Sequence, residues 1–443
     1  MKPKLNRTLI AILFLSVVAR VAVALYLGDI VDNPPLLTDQ RSYHALGERL
    51  ITGHGFSFDR GWYPFTQPEA PTAHWSFLYS FFIAAVYTIF GPHPLAARLV
   101  QAILGGILLP LMVYLFAKRV YRASPLNPAA SQLSKYGLND ERLALISAGL
   151  AAVYFYFILY AATLMTETFY ISGLLWLLIN ALNLAETPSL KHGLLLGISL
   201  SVTTLLRQSI LPWAAVLIVW LVWTGWQRKT LGRTIRSGVV AIAVLVLSIA
   251  PFTIRNYAAF GQFLLLNSNA GYAMFSAQHP MHGTEFREFD AAPVPPELVG
   301  LNEAQLDKEL MARGIGFVLA EPGRYLALSM SRVVDYFEFW PTPDTSLLNN
   351  VGRVGSIGVL LPFILIGLWL AFRHGGIRSA GGWRAFSQSP LALISLFMLV
   401  YSVLHVFTWA MPRYRLPVDA VALPLAALAM ASVINRWRAR KTA

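Results

Sequence analysis

Apolar runs long enough to cross a bilayer recur from one end of the chain to the other. They occupy residues 8–28, 95–117, 143–162, 168–185, 190–206, 210–226, 237–254, 354–372, 390–410 and 416–434. Length and hydropathy predict about ten transmembrane helices, and hence an all-α polytopic membrane protein. The first run follows Lys2, Lys4 and Arg7 as a signal peptide would, but it contains Arg20 and ends on no small-residue cleavage site. It reads as a retained first span. Residues 75–90 are also apolar but too short for an ordinary span, bounded by His74 and by Gly91-Pro92.

Parity decides what that short run does. Basic loops at 118–142, 228–236 and 373–384 and a basic tail at 436–441 fall on the side of the N-terminus only if residues 75–90 do not cross. Cytoplasmic loops carry the excess of Lys and Arg, so the run is predicted to be interfacial or re-entrant. The chain then divides into a transmembrane module at 1–255, with a first outer loop at 29–94, an outer region at 256–353 and C-terminal spans at 354–443. Short helices are expected at 42–51 in the first loop and, amphipathic, at 302–319 and 323–339 in the second.

Composition agrees and excludes a good deal. Charged residues make up 13% of the 443 residues, against about 25% for a soluble domain. With no cysteine there is no disulfide, thiolate metal site or cysteine nucleophile. The net charge of +13 is mostly explained by cytoplasmic loops facing anionic lipid, so membrane lipids are expected partners and nucleic acid is not.

Against that topology, Arg207, Arg255, Arg413 and Arg415 stand out because they fall at the outer face, with Arg98 at the margin of the set. One such arginine is explained by snorkelling. Several at one face call for an anion, and the planar guanidinium fork suits phosphate. They are therefore candidate phosphate-binding residues. Two acids share the face. Asp39 is either the N-cap of the helix that follows or a general base. Glu167, in Thr166-Glu167-Thr168, is either a first-turn acid favoured by the helix dipole or a functional group in an apolar setting. His279 and His282 sit in a Pro-containing outer loop and make only a weak metal motif.

Taken in order, these residues resemble a family. Asp39-x-x-x-Tyr43, Gly53-His54-Gly55, an apolar helix ending Phe90-Gly91, and Ala97-Arg98 are similar to the start of polytopic GT-C glycosyltransferases. The branch is that of the protein O-mannosyltransferases and the aminoarabinose transferase of lipid A. Thr166-Glu167, Arg255-Asn256-Tyr257 with Gly261, and Arg413-Tyr414-Arg415-Leu416-Pro417 extend the resemblance toward the C-terminus. It implies an enzyme of the bacterial or archaeal cytoplasmic membrane whose site faces away from the cytoplasm. Such enzymes take a sugar from a polyprenyl-phosphate monosaccharide and usually invert its anomeric carbon. The acceptor is then a glycan, a glycolipid or a protein.

By motif position Asp39 matches the catalytic aspartate and Glu167 the second acid, with Tyr43, His74, Asn256 and Tyr414 as candidate substrate contacts. No cofactor is expected, and a divalent metal is not indicated. Asp39 is followed by Gln40 where the mannosyltransferases carry an acidic pair, and Pro71-Thr72-Ala73-His74-Trp75 lacks the lysine of the aminoarabinose enzyme. A lipid-linked sugar flippase and an O-antigen ligase or polymerase are the competing readings.

Overall fold

The computed structural model describes residues 6–32, 38–62, 66–122, 139–287, 290–343 and 345–442, the last eight as backbone only. Most of the predicted basic loop at 118–142, and the side chains of the basic tail, lie outside the described residues. The described chain is helical, with two isolated bridges, Ser57–Pro71 and Trp62–Thr66, as its only extended pairing.

The first half comprises α1 (Arg7–Leu27), α2 (Asp39–Ile51), α3 (Phe77–Phe90), α4 (Pro94–Arg122), α5 (Asp140–Val153), α6 (Phe155–Ala161), α7 (Glu167–Glu186), α8 (Leu190–Leu206), α9 (Leu211–Gln227) and α10 (Leu231–Phe260). The second comprises α11 (Ala270–Gln278), α12 (Glu303–Ala320), α13 (Pro322–Phe337), α14 (Leu347–Arg353), α15 (Val359–Gly375), α16 (Trp383–Ser387), α17 (Pro390–Phe407) and α18 (Leu416–Thr442). Side-chain caps start several of them where the sequence supplies Ser or Asn: Asn6, Ser76, Asn139, Ser189 and Ser389 each accept from a first-turn backbone N–H.

Among the described residues, eight helices are long and apolar enough to cross a membrane, or nine if α5 and α6 form one broken span. Helix α8, expected as a tenth span, has 17 residues and at about 26 Å is shorter than those nine. Helix α3 has 14 residues, or about 21 Å, well short of the ~30 Å hydrocarbon core.

Three expectations need correction. The span expected at 143–162 is broken at Tyr154, where α5 and α6 meet at 59°. The break frees carbonyls, and Arg20 of α1 donates to Ala151 O and Ala152 O at 3.1 and 3.0 Å. That accounts for a buried arginine inside the first span. Helix α10 has 30 residues, so it is about 45 Å long. It takes in Arg233 and Arg236 of the presumed loop and continues past Arg255 to Phe260. Finally, the helix expected to begin at Ser42 begins at Asp39.

Helices α7 and α18 are the most enclosed spans, whereas α1 and α10 present most of their surface outward. Helix α8 reaches α10 through small residues. A Cβ on Gly193 would sit 2.4 Å from Ser237 O, so backbone contact here depends on glycine. Helix α2 lies on α3 in the same manner, Gly47 facing Ile83 and Tyr87.

Candidate active site

Asp39 is the first residue of α2, and Thr38 before it makes no side-chain cap. The capping role is therefore not the one Asp39 plays. Its Oδ2 instead accepts from Arg413 Nη1 at 2.9 Å, across 374 residues of sequence. Arg413 stands in the 3-10 turn Pro412–Arg415 that leads into α18. Glu167 likewise opens α7, and Thr166 does not cap that helix. Arg207, in extended backbone just after α8, donates Nη2 to Glu167 Oε1 and Nε to Thr166 Oγ1, the latter at 2.8 Å.

Tyr414 joins the two ion pairs. The Arg413 guanidinium lies 5.2 Å from its ring centroid and that of Arg207 5.7 Å. Arg207 is also 5.7 Å from the ring of Tyr170. Both carboxylates and both guanidiniums thus share one aromatic-lined space, and their formal charges cancel. The cluster is not, however, fully satisfied. Glu167 Oε2 and Arg413 Nε are buried with no hydrogen-bond partner among the described residues. Buried polar atoms of this kind are uncommon and call for an explanation. The carboxylates also differ in access: the Asp39 side chain is 23% exposed and that of Glu167 3%. Asp39 can be reached from outside, while Glu167 is enclosed.

The remaining expected site residues are distributed more widely. Tyr43 is buried with its ring edge-on to Trp75 and Tyr79, at 5.6 and 4.6 Å. His74 packs against Trp75 at 5.0 Å. Burial lowers its pKa to about 4, against the opposing pull of the Asp39 charge.

Arg255 donates to Thr72 O and Phe56 O at 2.9 and 3.2 Å, and Asn256 to Leu264 O and Leu266 O at 3.2 and 2.7 Å. Both staple loop backbone and stand outside the cluster. Arg415 turns to Asp419 at 3.1 Å and to Tyr336 O. Arg98 donates to Gly28 O, Ile30 O and Gln40 Oε1 at 2.6, 2.9 and 2.9 Å. Gln40 also accepts from Leu164 N at 3.1 Å. The neutral residue after Asp39 is thus a buried acceptor that fixes the start of α2. In the outer loop His282 Nε2 lies 3.0 Å from Ser276 O, and His279 Nδ1 accepts from Met281 N at 3.3 Å.

One residue in the cluster was missed from sequence. His405 of α17 stacks on Tyr414 at 4.9 Å with 25° between the rings, and its Nε2 is buried without a partner. An ionisable residue within an apolar span is itself a signal, and it was legible at 405. Beside it an apolar groove of about 440 Å³ runs between α13 and α17, lined by Met330, Val333, Phe337, Met398, Ser402 and Val406.

No protein-family description and no curated protein matches this chain. Solved structures do. The oligosaccharyltransferase of Archaeoglobus fulgidus, crystallised with Zn and sulfate, aligns over 97% of this chain with a TM-score of 0.54 and 16% identity. ArnT from Cupriavidus metallidurans, bound to undecaprenyl phosphate, aligns over 95% with a TM-score of 0.51 and 14% identity. The chain spans 50% of the length of the first and 59% of the second. A polytopic helical membrane protein that superposes on both over nearly its whole length has the GT-C fold.

Proposed function

We propose that the protein is a membrane glycosyltransferase that moves a sugar from a polyprenyl-phosphate monosaccharide to an acceptor hydroxyl, on the extracytoplasmic face. The observation that carries this reading is the meeting of Asp39–Arg413 and Glu167–Arg207 around Tyr414. The apolar groove beside His405 supports a donor with a long hydrocarbon tail, and the bound undecaprenyl phosphate of the ArnT structure supports a lipid phosphate. Sidedness is supported by the other end of the bundle, where Lys118, Arg119 and Arg122 pair with Glu141, Glu186 and Asp140. That end carries the basic segments a cytoplasmic face should carry.

In this reading Asp39 takes the proton of the acceptor hydroxyl. The oxygen attacks C1 of the sugar in line, the bond from C1 to the phosphate oxygen breaks, and the anomeric configuration inverts. The neutral charge balance of the cluster then acquires a use. As Asp39 is protonated, Arg413 loses its anionic partner while the leaving phosphate gains a negative charge. Total charge is unchanged, and Arg413 becomes free to stabilise the group that departs. Glu167, held by Arg207, orients a substrate hydroxyl through its unpartnered Oε2. A flippase would instead need a polar path through the membrane depth, whereas Leu174, Leu175, Leu177 and Leu178 fill the buried middle of α7.

Deletion of the gene followed by mass spectrometry of envelope glycans and glycolipids tests the activity. Loss of a single sugar supports transfer; accumulated lipid-linked oligosaccharide with unchanged products supports transport. Complementation with Asp39→Asn should leave folded protein and reduce transfer by about 10²–10⁴-fold. Full complementation removes Asp39 from the role of base.

A further inference from the structure

Glu303, the first residue of α12, is a buried carboxylate that takes no part in the two ion pairs. It accepts from Thr66 Oγ1 at 2.9 Å, Thr72 Oγ1 at 2.8 Å and Ala73 N at 2.5 Å. All three donors belong to the first outer loop, 230 to 237 residues away in sequence. Burying a charge is costly unless it is fully hydrogen-bonded, and here the protein places the charge where it gathers that loop.

Both ends of the gathered segment lead back to α2. Thr66 and Trp62 exchange backbone hydrogen bonds of 2.8 Å each, and Trp62 Nε1 donates to Ser42 Oγ at 2.9 Å. On the other side Ala73 leads to Trp75, whose ring meets Tyr43 at 5.6 Å. Ser42 and Tyr43 lie in the first turn after Asp39. Neighbouring groups reinforce the clasp: Asn267 Nδ2 donates to Ala73 O and Trp75 O at 3.0 and 2.8 Å, and Arg255 to Thr72 O at 2.9 Å.

We infer that Glu303 is a positioning residue for Asp39: by clasping Thr66, Thr72 and Ala73 it presses Trp62 and Trp75 onto the first turn of α2 and holds the Asp39 carboxylate in register with Arg413. The inference rests on the reading of Asp39 as the proton acceptor. A carboxylate accepts only, so all three donors can be served at once. An amide at 303 turns one arm into a donor facing donors. Two charged groups bear on Glu303: Arg255 of α10, which favours its anionic form, and Asp307 one turn along α12, which opposes it. Burial raises the Glu303 carboxyl above its usual range, while Ala73, Thr72, Thr66 and Ser268 as donors pull it down.

The test is hydrogen exchange by mass spectrometry on the full-length protein in lipid nanodiscs, read over residues 39–51, together with transfer in the complemented deletion strain. Glu303→Gln should speed exchange in α2 about tenfold or more, with the spans of α7 and α18 unchanged, and reduce transfer. In the wild type, α2 exchange corrected for intrinsic chemistry should rise as acid protonates Glu303, and in Glu303→Gln it should be fast at every pH. Unchanged α2 exchange in Glu303→Gln, or the same pH step in both proteins, overturns the inference. Should that variant not accumulate, Thr66→Val with Thr72→Val removes two donors and must give the same local effect. Asp39→Asn serves as the separating control. It should abolish transfer with α2 exchange as in wild type; if transfer survives there, the base assignment fails while the exchange result still decides the clasp.

Discussion

Arg413 and Arg415 are separated by one residue, yet their guanidiniums enter different clusters. Arg413 reaches Asp39 from the far end of the sequence. Arg415 meets Asp419 one helical turn along its own chain, and Tyr154 Oη closes on the same carboxylate at 2.6 Å. The 3-10 turn Pro412–Arg415 explains the divergence. At three residues per turn, positions two apart point about 120° away from each other. The two carboxylate sites also differ in what remains available. Both oxygens of Asp419 are engaged and it is buried, whereas Glu167 Oε2 has no partner and Asp39 is open to solvent. The local pair holds helices together and has no free carboxylate oxygen, although Arg415 Nη2 is itself buried without a partner. A long-range pair with unmet groups is poised to bind something else.

That contrast can be broken by experiment. Arg415→Met should be the most damaging to the fold, by about 3–5 kcal/mol, because it strands a buried carboxylate; thermal unfolding in detergent would record it. Arg413→Met should leave the unfolding midpoint close to wild type and lower transfer by about 10²–10³-fold, the typical loss of one group that stabilises developing charge. Equal destabilisation by the two variants would erase the distinction. Glu167→Gln keeps the shape and one acceptor but loses the charge that holds Arg207, and transfer should fall by about 10–100-fold, roughly 1.4–2.7 kcal/mol. Replacing both members of the local pair, Arg415→Met with Asp419→Leu, should change stability least, since a buried ion pair often exchanges for apolar packing at little cost. A large loss in the double variant would mean that the Arg415 cluster does more than hold helices.

The first-loop residues show how far a sequence signal carries. Asp39 stands out by its place in a motif and Glu167 by its charge in an apolar setting, and both lie in the cluster. The arginines stand out by parity, which bears on membrane side and nothing finer. Only Arg207 and Arg413 join the acids; Arg255 and Arg415 bond instead to Thr72 O and Asp419. Which carbonyl or carboxylate lies within about 3 Å is a property of how distant segments pack, and no local pattern encodes it. His405 was overlooked for a related reason: its interest lies in stacking on Tyr414 of another helix.

Hydropathy and helix length were enough by themselves to determine a polytopic helical membrane protein, and to show that the apolar run at 75–90 is shorter than an ordinary span. These follow from a one-dimensional constraint, since the bilayer sets span length. Tertiary structure alone decided the break at Tyr154 and the assignment of each arginine to its partner. It also decided the clasp of Glu303 on the first loop. Each depends on short-range hydrogen bonds between segments far apart in sequence, whose energies exist only once the helices have packed.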